Sequence, residues 1–187
     1  RSTLFPYTTL FRSLAEQLPL TENDMVANDW LNGRRTPFAD MTLKGAMTGL
    51  TLGTTPAQLF KSLVEATAFG SKAIMEHLRK EGVAIREVIA VGGISLKSRY
   101  VMQTLADIME VPINVAAAQQ AGALGAAMCA ATAAGIFDSL PVAQQKMGQG
   151  SLLVFEPCRE KSMLYRKLYD KYRKLGNFLT TLQDQIP

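Results

Sequence analysis

The chain has 187 residues, 20 Lys plus Arg against 16 Asp plus Glu for a net charge of +4, a single His and two Cys, and 48% of its residues are hydrophobic. That length and apolar content can build a buried core without disulfide or metal staples, and they exclude a disordered chain. The most apolar tract, residues 121–134, is mainly Ala and Gly and falls short of the roughly 20 residues that cross a bilayer, so no membrane partner is expected.

The opening run carries Thr3-Leu4-Phe5 and again Thr9-Leu10-Phe11, without helical or strand periodicity. It resembles the translation of a common sequencing-adapter oligonucleotide, so residues 1–13 are expected to be non-native and are left out of the fold reading, the alternative being a real N-terminal arm. No secretory signal pattern stands at the front. Residues 25–31, with Val26 and Trp30, predict a strand that runs into an Asn32-Gly33 turn, a pair that tolerates positive φ. Arg34 and Arg35 follow in a loop between Gly33 and Pro37; they are either ordinary surface or a pair able to hold a carboxylate or phosphate. Gly45, Gly49 and Gly53 recur among Met47, Leu50 and Leu52, which suits an extended segment and turn, because each Gly inside a helix costs about 1 kcal/mol.

Thr55-Pro56-Ala57-Gln58 is a helix start, with Thr55 as cap, Pro56 at the first helical position and Gln58 closing a capping box. Phe60, Val64, Thr67, Ile74 and Leu78, with Leu63 and Ala68 beside them, predict the inward stripe of a long helix that stops at Lys80-Glu81-Gly82. Residues 88–91 are an apolar, largely β-branched run ending in Gly92-Gly93, as a buried strand feeding a tight loop would be. Ser98 caps a predicted helix over 99–109 with Met102, Leu105, Ala106 and Met109 inward; a short strand at 113–115 and a small-residue helix over 121–134, closed by Gly135, follow. The order helix, strand, Gly-Gly loop, helix, strand, helix predicts an α/β layer with a largely parallel sheet.

The last segment, 159–182, reads as a polar-faced helix. Its Arg159, Lys161, Arg166, Lys167, Lys171, Arg173 and Lys174 are a solvated face, since no nucleic-acid-reading motif accompanies them. No nucleic-acid partner is expected. Cys129 and Cys158 have no second Cys or His beside them, so neither metal ligation nor a disulfide framework is predicted, and a reducing, cytoplasmic compartment fits.

Gly92-Gly93 lies at the end of a strand and before a helix, where α/β folds place ligands and where missing Cβ atoms let the backbone approach one. The pair alone also describes a plain turn. Neither a Walker loop nor a dinucleotide fingerprint is present in residues 92–97. Gly122, Gly125, Ala126, Cys129 and Ala133 leave one helix side open to close packing by another helix or a bound molecule. His77 reads as a lone surface histidine.

Residues 29–37 through Gly49-Leu50 resemble the C-terminal half of the FGGY carbohydrate kinases, and Gly45, Met47, Gly49, Leu50, Gln58, Leu59, Ser62, Leu63, Val64 and Glu65 meet every position of that family's second signature. The resemblance extends from Leu14 to about Leu182. It implies an actin-like ATPase fold built of two ribonuclease H-like domains, with ATP and sugar in the cleft between them, this chain being most of the C-terminal one. Residues 14–136 are then a partial kinase C-terminal domain and 137–187 its helical extension. By the same resemblance Gly92 and Gly93 lie against the nucleotide, Lys97 and Ser98 are both candidates to reach adenine, and residues 120–135 form the helix at the interdomain hinge. The implied partners are ATP, Mg2+ bound mainly through the other half, and a small sugar, with oligomerisation left open. The proton-accepting aspartate of the family is expected to precede this segment, since Asp40, in a loop after a turn, and Asp107, in mid-helix, are poor substitutes. No catalytic or metal-binding residue is assigned, and the chain alone is expected to be inactive. Another polyol kinase of the family, or a non-catalytic nucleotide-binding or structural module, are the alternatives.

Overall fold

The computed structural model describes the backbone of residues 6–183 and the side chains of residues 10–183. It begins with helix α1 (Pro6–Gln17), in a stretch where the sequence showed no periodicity. Strand β1 (Val26–Asn28) is buried throughout and pairs antiparallel with β2 (Ala46–Thr48), Val26 opposite Thr48, so both extended segments lie where they were expected. Gly33 (φ +79) and Gly49 (φ +87) supply the left-handed backbone of the turns that follow.

Helix α2 (Pro56–Lys80) obeys its start signal: the Gln58 N–H donates to Thr55 Oγ1 at 3.4 Å and the Thr55 N–H to Gln58 Oε1 at 2.8 Å. Its buried face is not the predicted stripe. Thr67 and Leu78 are exposed and Phe60, Leu63, Val64 and Ile74 only half-buried, while Lys61, Ser62, Glu65, Ala66, Phe69, Lys72 and Met75 join Ala68 inside. Three of those buried side chains are charged, and each has a partner from another element or the next turn. Lys61 pairs with Asp24 and with Glu65 at 3.1 Å, and Lys72 Nζ donates to Glu110 Oε1 at 2.7 Å and to the Ile108 carbonyl at 2.9 Å. Such pairing is what makes burial of an ammonium or carboxylate tolerable.

Strand β3 (Val88–Ala90) leads to a five-residue helix α3 (Gly93–Lys97), then α4 (Arg99–Met109), β4 (Ile113–Ala116) and α5 (Ala121–Ala133). Two unexpected elements intervene before the last helix, α6 (Leu140–Met147) and β5 (Ser151–Phe155); α7 (Arg159–Gln183) then ends the described chain. The sheet has the order β3-β4-β5, with β3 parallel to β4 and β5 antiparallel to it, so it is mixed rather than largely parallel. Strand β3 is an edge strand and not buried on both faces: Val88 and Ala90 pack inward, while Ile89 is 54% and Val91 59% exposed.

Two apolar clusters hold these elements. In one, Phe69 of α2 meets Tyr165, Tyr169 and Tyr172 of α7 with ring centroids 5.4–6.2 Å apart, against Val26 of β1 and Ile108 of α4. In the other, Met75 of α2 packs with Met102, Ala106 and Met109 of α4 on the sheet residues Ile113, Val115 and Phe155. The seven basic residues of α7 are exposed, Arg166 pairing with Glu110 and Lys167 with Glu22, as a solvated face should. Cys129 and Cys158 are free thiols. Among the described residues no helix is long and apolar enough to cross a membrane.

Candidate functional site

The first wall of the site is the turn after β3. Gly92 has φ +94 and ψ −179, a conformation that L side chains rarely adopt, and it precedes the first residue of α3. The buried Ser95 hydroxyl donates to the Gly92 carbonyl at 2.7 Å and closes the turn. A Cβ built on Gly92 or Gly93 would meet nothing within 4 Å, so these glycines do not serve internal packing; they leave bare backbone facing outward. Lys97 ends α3 and is exposed. Its carbonyl accepts from Arg12 Nη1 at 3.2 Å.

The opposite wall comes from the end of β4 and the start of α5. Gln119 and Gln120 are exposed, Gln120 caps the helix without a side-chain hydrogen bond, and Gly122 again leaves 4 Å of open space. The first-turn N–H groups of a helix have no intrahelical acceptor and favour negative charge. Between the walls lies a hollow of about 610 Å³, which Gly92, Gly93 and Lys97 line from one side and Gln119, Gln120 and Gly122 from the other. Ser98 is not in that lining. It is buried, and its Oγ accepts from the Val101 N–H at 3.3 Å as the cap of α4, the role its sequence position predicts.

The small-residue side of α5 stays open: Gly122, Ala126, Cys129 and Ala133 are exposed, and only Met128 of this helix is buried. The helix therefore packs chiefly on α6 and not through its glycines.

The remaining polar candidates have structural partners. Asp40 Oδ1 accepts from the Thr42 hydroxyl at 2.6 Å and its N–H at 2.9 Å; these bonds hold the Asp40 carboxyl below the usual range, which makes it a weak base. Asp107 is buried and accepts from Gln103 Nε2 and the Cys158 N–H, both at 2.8 Å. Arg34 lies 5.2 Å over the Trp30 ring and donates to the Phe38 carbonyl. His77 is half-buried and stands edge-on to Phe38 with ring centroids 5.1 Å apart. Glu65 is the last residue of the family signature met by this sequence. Burial pushes its carboxyl up to about 6 against the pull of Lys61, and the Tyr165 hydroxyl donates to it at 3.2 Å. An acidic residue amid the α2 helix was its only sequence signal. Among the described residues no cluster of three or more His, Cys, Asp or Glu could hold a metal ion.

Comparison with known proteins places this geometry. The C-terminal domain of the FGGY family of carbohydrate kinases matches residues 3–134. Ribulokinase from Vibrio parahaemolyticus is 41% identical over 170 residues, which cover 91% of this chain and 30% of that protein. Ribulokinase from Halalkalibacterium halodurans is 40% identical over 173 residues, 90% of this chain and 31% of that protein. The crystal structure of ligand-bound xylulose kinase from Lactobacillus acidophilus matches with a TM-score of 0.80 at 28% identity, over 91% of this chain and 34% of that one. Plasmodium falciparum glycerol kinase with ADP shares the fold at a TM-score of 0.70 and 21% identity, over 89% of this chain and 33% of that one. The chain thus spans about a third of the length of these relatives. The mixed α/β domain, with a glycine turn facing the start of a small-residue helix, belongs to the C-terminal domain of the FGGY carbohydrate kinases.

Proposed function

We propose that this chain is part of an ATP-dependent ribulokinase that phosphorylates L-ribulose, in arabinose breakdown, and that it forms the nucleotide side of the cleft. The supporting observation is the hollow between Gly92-Gly93 and the start of α5. Its bare glycine backbone suits the flat face of an adenine ring, and the uncapped first turn of α5 suits a nearby phosphate. Gly92, Gly93 and Lys97 are the residues we assign to ATP. Ser98, the other candidate, is occupied as a helix cap. Bound ATP supplies the γ-phosphoryl group. The residues here do not form a magnesium site among the described ones, so no residue is assigned to that ion.

In the proposed reaction the terminal hydroxyl oxygen of the sugar bonds to the γ-phosphorus, ADP leaves, and the hydroxyl proton passes to a carboxylate. Neither Asp40 nor Asp107 is free for that task, so the base belongs to another part of the parent protein and the chain is inactive alone. L-ribulose is preferred over xylulose or glycerol because the ribulokinase relatives reach 41% identity, against 28% for a xylulose kinase. The proposal includes cytoplasmic location, small-molecule rather than nucleic-acid partners, a non-native origin for residues 1–13, and residues 137–187 as a C-terminal extension of the same domain as residues 14–136.

Three measurements test it. Residues 14–187 with Mg-ATP and L-ribulose should release no ADP, and turnover would refute the division of labour. The intact parent should phosphorylate L-ribulose, and failure to do so would refute the substrate. Titration of the chain with adenine nucleotide should show weak binding; none at all favours a purely structural module.

A further inference from the structure

A second hollow lies against the C-terminal half of α2, and the reading above does not use it. It measures about 450 Å³ and is enclosed by the loop at residues 29–38, the middle of α2 and the late turns of α7. Its floor is aromatic. Trp30 is buried under the Arg34 guanidinium, Tyr169 and Tyr172 stack with centroids 6.1 Å apart, and Phe38 stands edge-on to His77.

The charge of the lining is unbalanced. Arg34, Arg35, Lys80 and Arg173 contribute four positive groups against the carboxylates of Asp29 and Glu76. Glu76 is further engaged, since the Tyr169 hydroxyl donates to its Oε2 at 2.8 Å. Arg34 is held by the Phe38 carbonyl and by Thr180 Oγ1 at 3.4 Å, which makes it part of the frame. Arg35, Lys80 and Arg173 are exposed, and among the described residues none of them forms an ion pair. Arg35 has only the Met41 sulfur at 3.5 Å, and Arg173 rests 6.0 Å from the Tyr169 ring centroid. A concave site with an aromatic floor and uncommitted guanidinium groups at its rim matches a ligand with a flat apolar face and an anionic group.

We propose that this hollow binds a small anion carrying a planar ring, of the aryl phosphate type, with Arg35 and Arg173 on the anionic group and Trp30, Phe38 and Tyr172 around the ring. This gives the Arg34-Arg35 loop a division of roles: Arg34 braces the pocket and Arg35 meets the ligand.

Trp30 is the single tryptophan of the sequence and lines this hollow, so in the folded chain its fluorescence responds to a ligand bound there. The experiment titrates the whole chain at low salt with phenyl phosphate, inorganic phosphate and benzyl alcohol. Phenyl phosphate is expected to give a saturable change, and each of the other two probes should bind at least about tenfold more weakly, the scale of one charge-assisted contact or one ring. Arg35→Glu and, separately, Arg173→Glu should each weaken phenyl phosphate by about tenfold or more, whereas Lys97→Ala, in the other hollow, should not. Circular dichroism confirms that each variant is folded, and the two arginines lie on different elements, so misfolding of one leaves the other decisive. The proposal is overturned by the absence of saturation, by equal binding of phosphate or benzyl alcohol, or by undiminished binding in a folded charge-reversal variant.

Discussion

Gly176 of α7 lies against Trp30 so closely that a Cβ on it would stand 2.9 Å from the indole Cη2 atom. Both residues are buried, and their contact fixes how the last turns of α7 sit over the loop after β1. Gly176→Ala should therefore destabilise the fold by about 1–3 kcal/mol, the cost of overpacking, although alanine is the better helix former. Urea unfolding followed by tryptophan fluorescence measures the effect. A neutral or stabilising result would mean that the ring has room to move.

Glu65 and Glu110 should give stability opposite pH dependences. The Glu65 carboxyl is raised from 4.5 to about 6 by burial, so the folded state holds its proton more tightly than the unfolded state does. Its contribution is present in full below pH 4.5 and is lost as pH rises through about 6, an effect of about 2 kcal/mol. The Glu110 carboxyl is lowered to about 2, first by hydrogen bonds from Arg166 and then by Lys72, so its contribution is present above pH 4.5 and is lost as pH falls through about 2. Glu65→Gln should flatten the stability profile between pH 4.5 and 6, and Glu110→Gln should flatten it between 4.5 and 2. Thermal melts across that range check both signs.

The two adjacent glycines should respond differently to alanine. Gly92→Ala forces a side chain into φ +94 and should cost about 1–3 kcal/mol even though its Cβ meets nothing. Gly93→Ala has neither strain nor a clash and should change stability by less than about 0.5 kcal/mol. Both methyl groups would project into the hollow proposed for the nucleotide, so adenine-nucleotide binding by the intact parent should weaken in both. Calorimetric titration beside thermal melts separates the two effects.

Lys97, proposed to contact the nucleotide, and Ser98, the cap of α4, should respond differently to alanine. Ser98→Ala removes the cap of α4 and should cost about 1 kcal/mol of stability while leaving nucleotide affinity nearly unchanged. Lys97→Ala should do the reverse, with affinity in the intact parent falling several-fold. The converse pattern would transfer the adenine contact to Ser98.

Where local chemistry decides a structure, the sequence was readable. Thr55, Pro56 and Gln58 announced the start of α2, Ser98 capped α4, and Gly135 (φ +74) closed α5. Where distant partners decide, it was not. The buried face of α2 carries Lys61 and Lys72, whose partners Asp24 and Glu110 lie far along the chain, so an apolar stripe pointed to the wrong side. Strand β5 was hidden because Ser151 to Val154 are exposed and only Phe155 is buried, which leaves no alternation to detect. The glycine turn was visible as Gly92-Gly93, but its facing wall at Gln119 and Gln120 depends on β3 and β4 lying side by side.

Helix α2 contributes Phe69 to one apolar cluster and Met75 to the other, and at about 1.5 Å per residue these sites are less than two turns apart. A single rod therefore serves as common axle to both halves of the domain. Melting it would dismantle the tyrosine stack and the sheet together, so amide protons on either side should exchange as one cooperative unit rather than in two separate steps.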